Sequence, residues 1–357
     1  MTSRIAVIAG DGVGPEVTAE ALRVLQSVSS LDGTVDLQYD HFAWGSDFYR
    51  THGQMMPRDG LEVLQQYDAI LFGAVGDPDI KDYITLRQLL LRIRFGFQQY
   101  VNLRPVRLFP GVKSPVCAAS TANINMTFVR ENSEGEYAGV GERLFRGTER
   151  EVALQTAVFS RHGTERVVRW AFDYARAHRK SLTSVSKGNA LEYSGGLWDD
   201  VVDEVAAQYA DVTVTRLLVD AAAMLMVVAP ERFEVVVASN LYADILTDLG
   251  AALMGSMGLG ASANINPERA FPSMFEPVHG SAPDIAGRGV ANPLGAIWSA
   301  ALMLGHLGFS NWRTAVIDAL ASVLDSGQVR TRDLGGTAST TEVGQAVCDQ
   351  LLAHRND

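Results

Sequence analysis

The sequence predicts an α/β protein of two domains organised around a parallel sheet. Short β-branched runs, among them 69–74, 181–186 and 233–238, alternate with segments of helical period. At 357 residues the chain exceeds the size at which a single core stops growing. Its 47% apolar content is enough for two cores.

The first element is an apolar strand at 4–9, followed by Gly10-Asp11-Gly12-Val13-Gly14-Pro15 and a helical pattern through Leu22, Val24, Leu25 and Val28. Strand, glycine turn and helix invite a phosphate-binding reading, with backbone amides at a helix N-terminus. The spacing is GxGxG rather than GxGxxG, however, and a tight turn after an edge strand explains the glycines equally well. Strands are expected at 35–42 and 69–74, with a helix at 57–66 between them. The segment 85–104 begins as an amphipathic helix and carries Arg87, Leu90, Arg92, Arg94 and Arg104. With Arg130 in the strand-like TFVRE, several guanidiniums can converge on one carboxylate or phosphate, which they match bidentately.

From Glu134 glycines and short alternating segments replace helical period, so 136–159 reads as an extended β arm. A two-stranded arm is marginal alone and points to pairing with a second subunit. A helix at 162–178 and a strand at 181–186 follow, the strand ending at Lys187 before a helix through Trp198 and Val205. A strand at 212–219 ends in Asp220. The run 233–238 reads as a strand buried on both faces, with Ser239-Asn240 supplying a turn and cap before a helix that carries Asp244 and Asp248 on one face. Anions at i and i+4 repel, so the pair is either a solvated acidic face or a cation site. The segment 271–293 holds too many breakers for helix or strand and reads as a long functional loop. Helices at 294–307, 312–324 and 341–354 finish the chain.

A net charge of −11 argues against nucleic acid or an anionic membrane surface as partner, while a small anionic substrate held by a few arginines remains compatible. Only Cys117 and Cys348 occur, without metal-ligand spacing, which implies no disulfide framework and a reducing, cytoplasmic setting. No signal peptide is read at the N-terminus. The most apolar stretches, 217–229 and 294–309, fall short of a membrane span and are expected as buried helices.

Several motifs in order resemble one family, the β-decarboxylating dehydrogenases of the isocitrate and isopropylmalate dehydrogenase type. They are GDGVGPE at 10–16, Arg94 ten residues before NLRP at 102–105, Arg130-Glu131 before EGEY at 134–137, Lys187, Asp220, Ser239-Asn240 with Asp244 and Asp248, and EPVHGSAPDIAG at 276–287. The runs YVNLRPVRLFPGV, RENSEGEYAGVGERLFRGTERE and ANINPERAFPSMFEPVHG look most like the tartrate and D-malate branch, with isopropylmalate dehydrogenase the alternative.

The resemblance implies a two-domain fold that is not a Rossmann fold. The first, cofactor-side domain would comprise 1–100 and 253–357, and the second 101–252, with a dimerisation arm at about 136–159. It implies NAD along 271–293, through Glu276, His279, Gly280, Ser281, Ala282, Asp284, Ile285 and Asn292. Asp284 would accept from the ribose hydroxyls and disfavour NADP.

The substrate implied is a 2R-hydroxy acid with a carboxylate on carbon 3. Asp220, Asp244 and Asp248 would hold Mg²⁺ or Mn²⁺, hard cations suited to oxygen ligands, and a monovalent cation such as K⁺ is left open. Lys187 would take the proton of the C2 hydroxyl and Tyr137 would protonate C3 after CO₂ leaves. Arg94, Arg104 and Arg130 would bind the β-carboxylate. Lys187 and Asp220 would come from the neighbouring subunit of a homodimer with shared sites. Arg87 stands where the nearest branch has tryptophan and isopropylmalate dehydrogenases have glutamate. Pointing inward beside Leu90, it would favour an extra acidic or polar substrate group; pointing outward, it is a surface cation. A non-catalytic relative would show gaps among these positions, and none is missing.

Overall fold

A computed structural model describes residues 2–116 and 123–354. The chain divides into two compact units, one of Met1–Gln99, Arg107–Thr121 and Ala251–Asp357, the other of Tyr100–Val106 and Ala122–Gly250. Both are α/β.

In the first unit the strands lie in the order Leu37–His41, Ser3–Gly10, Ala69–Ala74, Ser273–Pro277, Ala261–Ile265. The first four run parallel, and Ala261–Ile265 is antiparallel to Ser273–Pro277. Ser3–Gly10 is thus an interior strand, not the edge strand expected, and its Ile5, Ala6, Val7 and Ile8 are buried. The helices Gly14–Leu31, Leu294–His306, Ser310–Ser326 and Thr340–His354 pack together in this unit.

Three expectations are corrected here. Within 271–293 the strand Ser273–Pro277 forms despite its flanking prolines, because Ser273, Met274 and Phe275 pair with Ala69, Ile70 and Leu71. Residues 107–116 pack with the first unit rather than the second: Phe109 meets Trp298 edge-on at 5.0 Å, and Arg330 Nη2 donates to the Gly111 carbonyl at 2.6 Å. The helix begun at 85 is interrupted, with the short α-helices Asp82–Thr85 and Leu91–Gly96 flanking a π-helical turn, Leu86–Leu90. The Leu91 N–H bonds to the Leu86 carbonyl, a five-residue step that an assumed period of 3.6 does not anticipate.

The second unit orders its strands Val101–Arg107, Asn125–Glu131, Val235–Ala238, Leu182–Ser186, Val214–Leu218. Val235–Ala238 is parallel to both neighbours and fully buried, so every side chain on it faces packed helices or chain. The helices Arg161–Ala177, Glu192–Ala206, Val219–Val228 and Asn240–Leu253 complete the unit.

The expected arm is present as the antiparallel strands Gly135–Leu144 and Val152–Val158, a separate two-stranded sheet. Its Val140, Leu144, Phe145, Val152 and Leu154 are exposed. The helix Val219–Val228 is not buried as expected. Only Ala222 and Met226 are covered, while Met224 is 57% and Val228 67% exposed, because a helix apolar on all sides can bury one side only. By contrast, Leu294–His306 is buried almost throughout. No described helix is long and apolar enough to cross a membrane. Cys348 is free and buried, and Cys117 lies outside the described residues.

Candidate active site

The parallel strands of the second unit deliver charged residues at their carboxyl ends, where open α/β sheets place ligands. Arg130 lies near the end of Asn125–Glu131, Lys187 just past Leu182–Ser186, and Asp244 in the second turn of the helix after Val235–Ala238.

Asp244 is the hub. One carboxylate oxygen accepts from Arg104 Nη1 at 3.2 Å and from Arg130 Nη1; the other accepts from the Tyr137 hydroxyl at 2.7 Å. Both arginines are buried while Asp244 is partly open. Arg104 is fixed by Nε donation to Asn102 Oδ1 at 2.7 Å and by Nη1 donation to Thr247 Oγ1 at 2.6 Å. The Arg130 guanidinium lies 5.3 Å from the centre of the Tyr137 ring. Burial, and then the bond to Asp244, pushes the Tyr137 hydroxyl above its ordinary value. Tyr137 therefore keeps its proton at neutral pH. Partial burial and then the charge of Asp244 push Asp248 up. Burial is the larger cause, Arg104 and Arg130 oppose it, and the contribution of Asp244 is one that a cation would offset.

Lys187 and Asp220 form a second centre. Lys187 Nζ donates to Asp220 Oδ1 at 2.5 Å, with 28% and 65% of the respective side chains exposed. Asp220 sits in the first turn of Val219–Val228, and the bond to Lys187 holds its carboxyl below the usual range. Among the described residues no three Asp, Glu, His or Cys side chains of one chain converge on a cation site. The three aspartates are therefore not assembled within a single chain.

Arg94 belongs to the first unit and donates through Nη2 to Glu276 at 2.6 Å, an ion pair in which each side chain is only 7% exposed. Asn264 Nδ2 donates to the same carboxylate oxygen at 2.8 Å. Leu90 packs into the core of that unit, and Arg87, on the π-helical turn, is exposed.

The first unit also holds a cavity of about 720 Å³, lined by His279, Gly280, Ala282, Ile285 and Asn292 together with Val13, Met257, Arg332 and Asp333. The His279 Nδ1 contacts the Gly280 carbonyl at 2.9 Å, while its Nε2 is buried without a partner. Burial pulls the imidazole pKa down, so the ring is neutral and offers an unused polar atom to a ligand. The Asn292 side-chain amide donates to Asp333 at 2.9 Å. Ser281 is buried, and Asp284 is exposed and outside the cavity lining.

The glycine turn supports this cavity's loop. The Val13 N–H donates to the Ser281 carbonyl at 2.8 Å, and a side chain at Gly12, whose φ is +58°, would meet that carbonyl at 1.9 Å. The Glu16 carboxylate accepts from the N–H groups of Gly287 at 2.5 Å and Gly289 at 2.9 Å.

The sequence matches the family described as isocitrate/isopropylmalate dehydrogenase over residues 4–347. The chain belongs to this family. Among relatives of this decarboxylating dehydrogenase family, a probable tartrate dehydrogenase/decarboxylase of Agrobacterium vitis is 48% identical, over 98% of this chain and 97% of its own. D-malate dehydrogenase [decarboxylating] of Escherichia coli is 47% identical over 98% and 99% of the two chains. A 3-isopropylmalate dehydrogenase of Thermobifida fusca is 50% identical over 98% of each. In structure, isocitrate dehydrogenase from Methylococcus capsulatus superposes with a TM-score of 0.89 at 35% identity, covering 98% of this chain and 99% of that one. The family uses a divalent metal and a nicotinamide cofactor in general.

Sequence reasoning missed several residues of this family member's site. Asn102, Thr247 and Asn240 hold the arginines, and Arg332 and Asp333 line the cavity. For Asn102 and Asn240 the signal lies inside the motifs NLRP and SN, where sequence alone gives a pattern and a cap rather than an arginine's partner. The Asn240 side-chain Oδ1 accepts from Arg130. For Arg332 and Asp333 the signal was the turn-rich TRDLGG between two helices.

Proposed function

We propose that this protein oxidises a 2R-hydroxy acid bearing a carboxylate on carbon 3 and decarboxylates the β-keto acid formed, with D-malate or a tartrate as substrate, NAD as oxidant and Mg²⁺ or Mn²⁺ as metal. The observation that carries it is the convergence of Arg104, Arg130 and Tyr137 on Asp244, which sets carboxylate-binding cations and a proton donor beside a metal-type ligand. The crowded Asp244 and Asp248 fit a hard cation, with Asp220 from a second subunit completing the set. The neutral, half-satisfied His279 in an otherwise largely apolar cavity fits the adenine end of a dinucleotide. When bound, the metal polarises the oxygen on C2 and NAD accepts hydride.

The chain's own residues then divide the work. Arg104 and Arg130 bind the β-carboxylate through guanidinium faces already desolvated and held in place. Lys187 receives the proton of the C2 hydroxyl, and Tyr137, kept protonated by its surroundings, returns one to C3. The exposed arm and the apolar side of Val219–Val228 support a homodimer.

The test is NADH and CO₂ formation with D-malate, meso- and L-tartrate, 3-isopropylmalate, isocitrate and homoisocitrate, with Mn²⁺ and with EDTA. D-malate or a tartrate should give the highest kcat/KM and EDTA should abolish it; metal-independent turnover would overturn the mechanism. A second reading, 3-isopropylmalate, is favoured by the 50% identical relative and predicts that this substrate leads the panel. Running the same panel on Arg87→Trp should change the ranking of malates if Arg87 lines the pocket, whereas unchanged relative kcat/KM would remove it from substrate recognition.

A further inference from the structure

The two arginines on Asp244 are held differently. Arg104 is fixed by Asn102, two residues away on its own strand, whereas Arg130 is fixed by Asn240, 110 residues away. Asn240 is 2% exposed. Its Oδ1 accepts from both Nε at 2.9 Å and Nη2 at 2.7 Å of Arg130, which leaves Nη1 for Asp244. Its Nδ2 donates to the Glu134 carbonyl at 3.1 Å.

Glu134 stands at the root of the arm. The turn is tied down on the other sides as well. The Glu131 carboxylate accepts from the N–H groups of Ser133 and Glu134, both at 2.8 Å, and the Glu134 carboxylate accepts from Ser160 N–H at 2.8 Å and Oγ at 2.5 Å. The next residue, Gly135, has φ +73°, and a side chain there would approach Asn240 Cβ to 3.4 Å. Tyr137 follows two residues later.

Asn240 therefore touches two of the three partners of Asp244, Arg130 directly and Tyr137 through the backbone that carries it. A side-chain amide suits this, since it presents an acceptor that takes two N–H groups and a donor on one short planar group. Aspartate at this position would keep the acceptor and lose the donor; alanine would lose both.

We infer that Asn240 is a positioning residue that couples the orientation of Arg130 to the root of the arm carrying Tyr137, so that carboxylate binding and proton donation are aligned by one amide. This rests on the assignment of Arg130 and Tyr137 under the proposed function. The coupling predicts that the two functions can be separated by substitution. Asn240→Asp preserves the grip on Arg130 and releases the arm root. Asn240→Ala releases both.

The experiment is steady-state kinetics of the full-length protein with Mn²⁺ and NAD, using D-malate and L-tartrate as probes, on Asn240→Asp, Asn240→Ala and Arg130→Gln. For Asn240→Ala, KM for the hydroxy acid should rise about tenfold or more while KM for NAD stays within about twofold. For Asn240→Asp, that KM should stay within about threefold of wild type while kcat falls about tenfold or more. Simple loss of folded protein lowers apparent kcat and leaves KM alone, so the rise in KM separates positioning from stability in Asn240→Ala, and in Asn240→Asp kcat is taken per folded protein, with the folded fraction measured by circular dichroism. Should Asn240→Ala not fold, Asn240→Ser takes its place with the same expectation. Unchanged hydroxy-acid KM in the alanine or serine variant, or the same kinetic change in the aspartate variant as in these, overturns the inference provided Arg130→Gln raises that KM. A wild-type KM in Arg130→Gln instead overturns the reading of Arg130 as a carboxylate ligand, and the coupling with it.

Discussion

Within its own chain Asp244 already accepts from two guanidiniums and a phenol. The sequence made Asp244, Arg104, Arg130, Tyr137 and Lys187 visible because each sits at a fixed offset in a motif, and the motifs follow one another in a specific order. Asn240 was visible as part of a motif and as a cap, but not as the partner of Arg130. The partner of a buried amide depends on which distant strand comes beside it, and no local spacing encodes that. His306 makes a different point at the same scale. It closes the helix Leu294–His306, and burial, with Arg269 nearby, lowers its pKa to about 4. Unfolding restores an ordinary value near 6.5, so between these limits the unfolded chain binds the extra proton. Stability is thus complete above about pH 6.5 and is lost as pH falls toward 4, by roughly 2 kcal/mol at pH 5. Replacing His306 with glutamine removes this contribution. The expected result is a smaller fall in Tm between pH 7 and pH 5 than in wild type; an equal fall would mean His306 titrates normally in the fold.

At the scale of elements, patterns of period two and 3.6 identified most strands and helices, Ala69–Ala74 to the residue. They failed where tertiary pairing or an altered helix supplied the order. Ser273–Pro277 is a strand because Ala69–Ala74 lies beside it, and Leu86–Leu90 is wound as a π turn. The glycine turn at residues 10–15 reads as a phosphate loop by composition, yet its Asp11 and Val13 amides donate to the Ala74 and Ser281 carbonyls. Its work is mechanical, and Glu16 extends it by binding the two amides that flank Arg288. Charge-assisted bonds of this type contribute about 1.5–3 kcal/mol each. Glu16→Ala should therefore raise KM for NAD about tenfold or more, with KM for the hydroxy acid little changed. Equal KM values for NAD in the variant and wild type would detach the turn from cofactor binding.

Across the whole molecule, the family was legible from motif order and the arm from its short alternating segments, while the uncovered side of Val219–Val228 was not, since a run apolar on all sides does not show which side packs. The proposed site needs Asp244 from one subunit and Lys187 from another, which mixed dimers can expose. Lys187→Ala and Asp244→Asn should each be inactive as pure dimers. After denaturation and refolding together in equal amounts, half of the dimers are mixed and each holds one intact site, so about a quarter of wild-type activity should return. No recovery despite mixed dimers, detected by a size tag on one variant, would place both residues in one chain's site. Asp244→Asn should leave the dimer itself intact by light scattering.

The Lys187–Asp220 pair, built on a largely uncovered helix, has one more consequence. With the lysine and the carboxylate hub on different polypeptides, as proposed, specific activity depends on protein concentration. Diluted far enough, the protein would keep its fold and its cofactor cavity and yet lose turnover, recovering it on reconcentration. Its abundance in solution would then act as a control on its rate, without any effector.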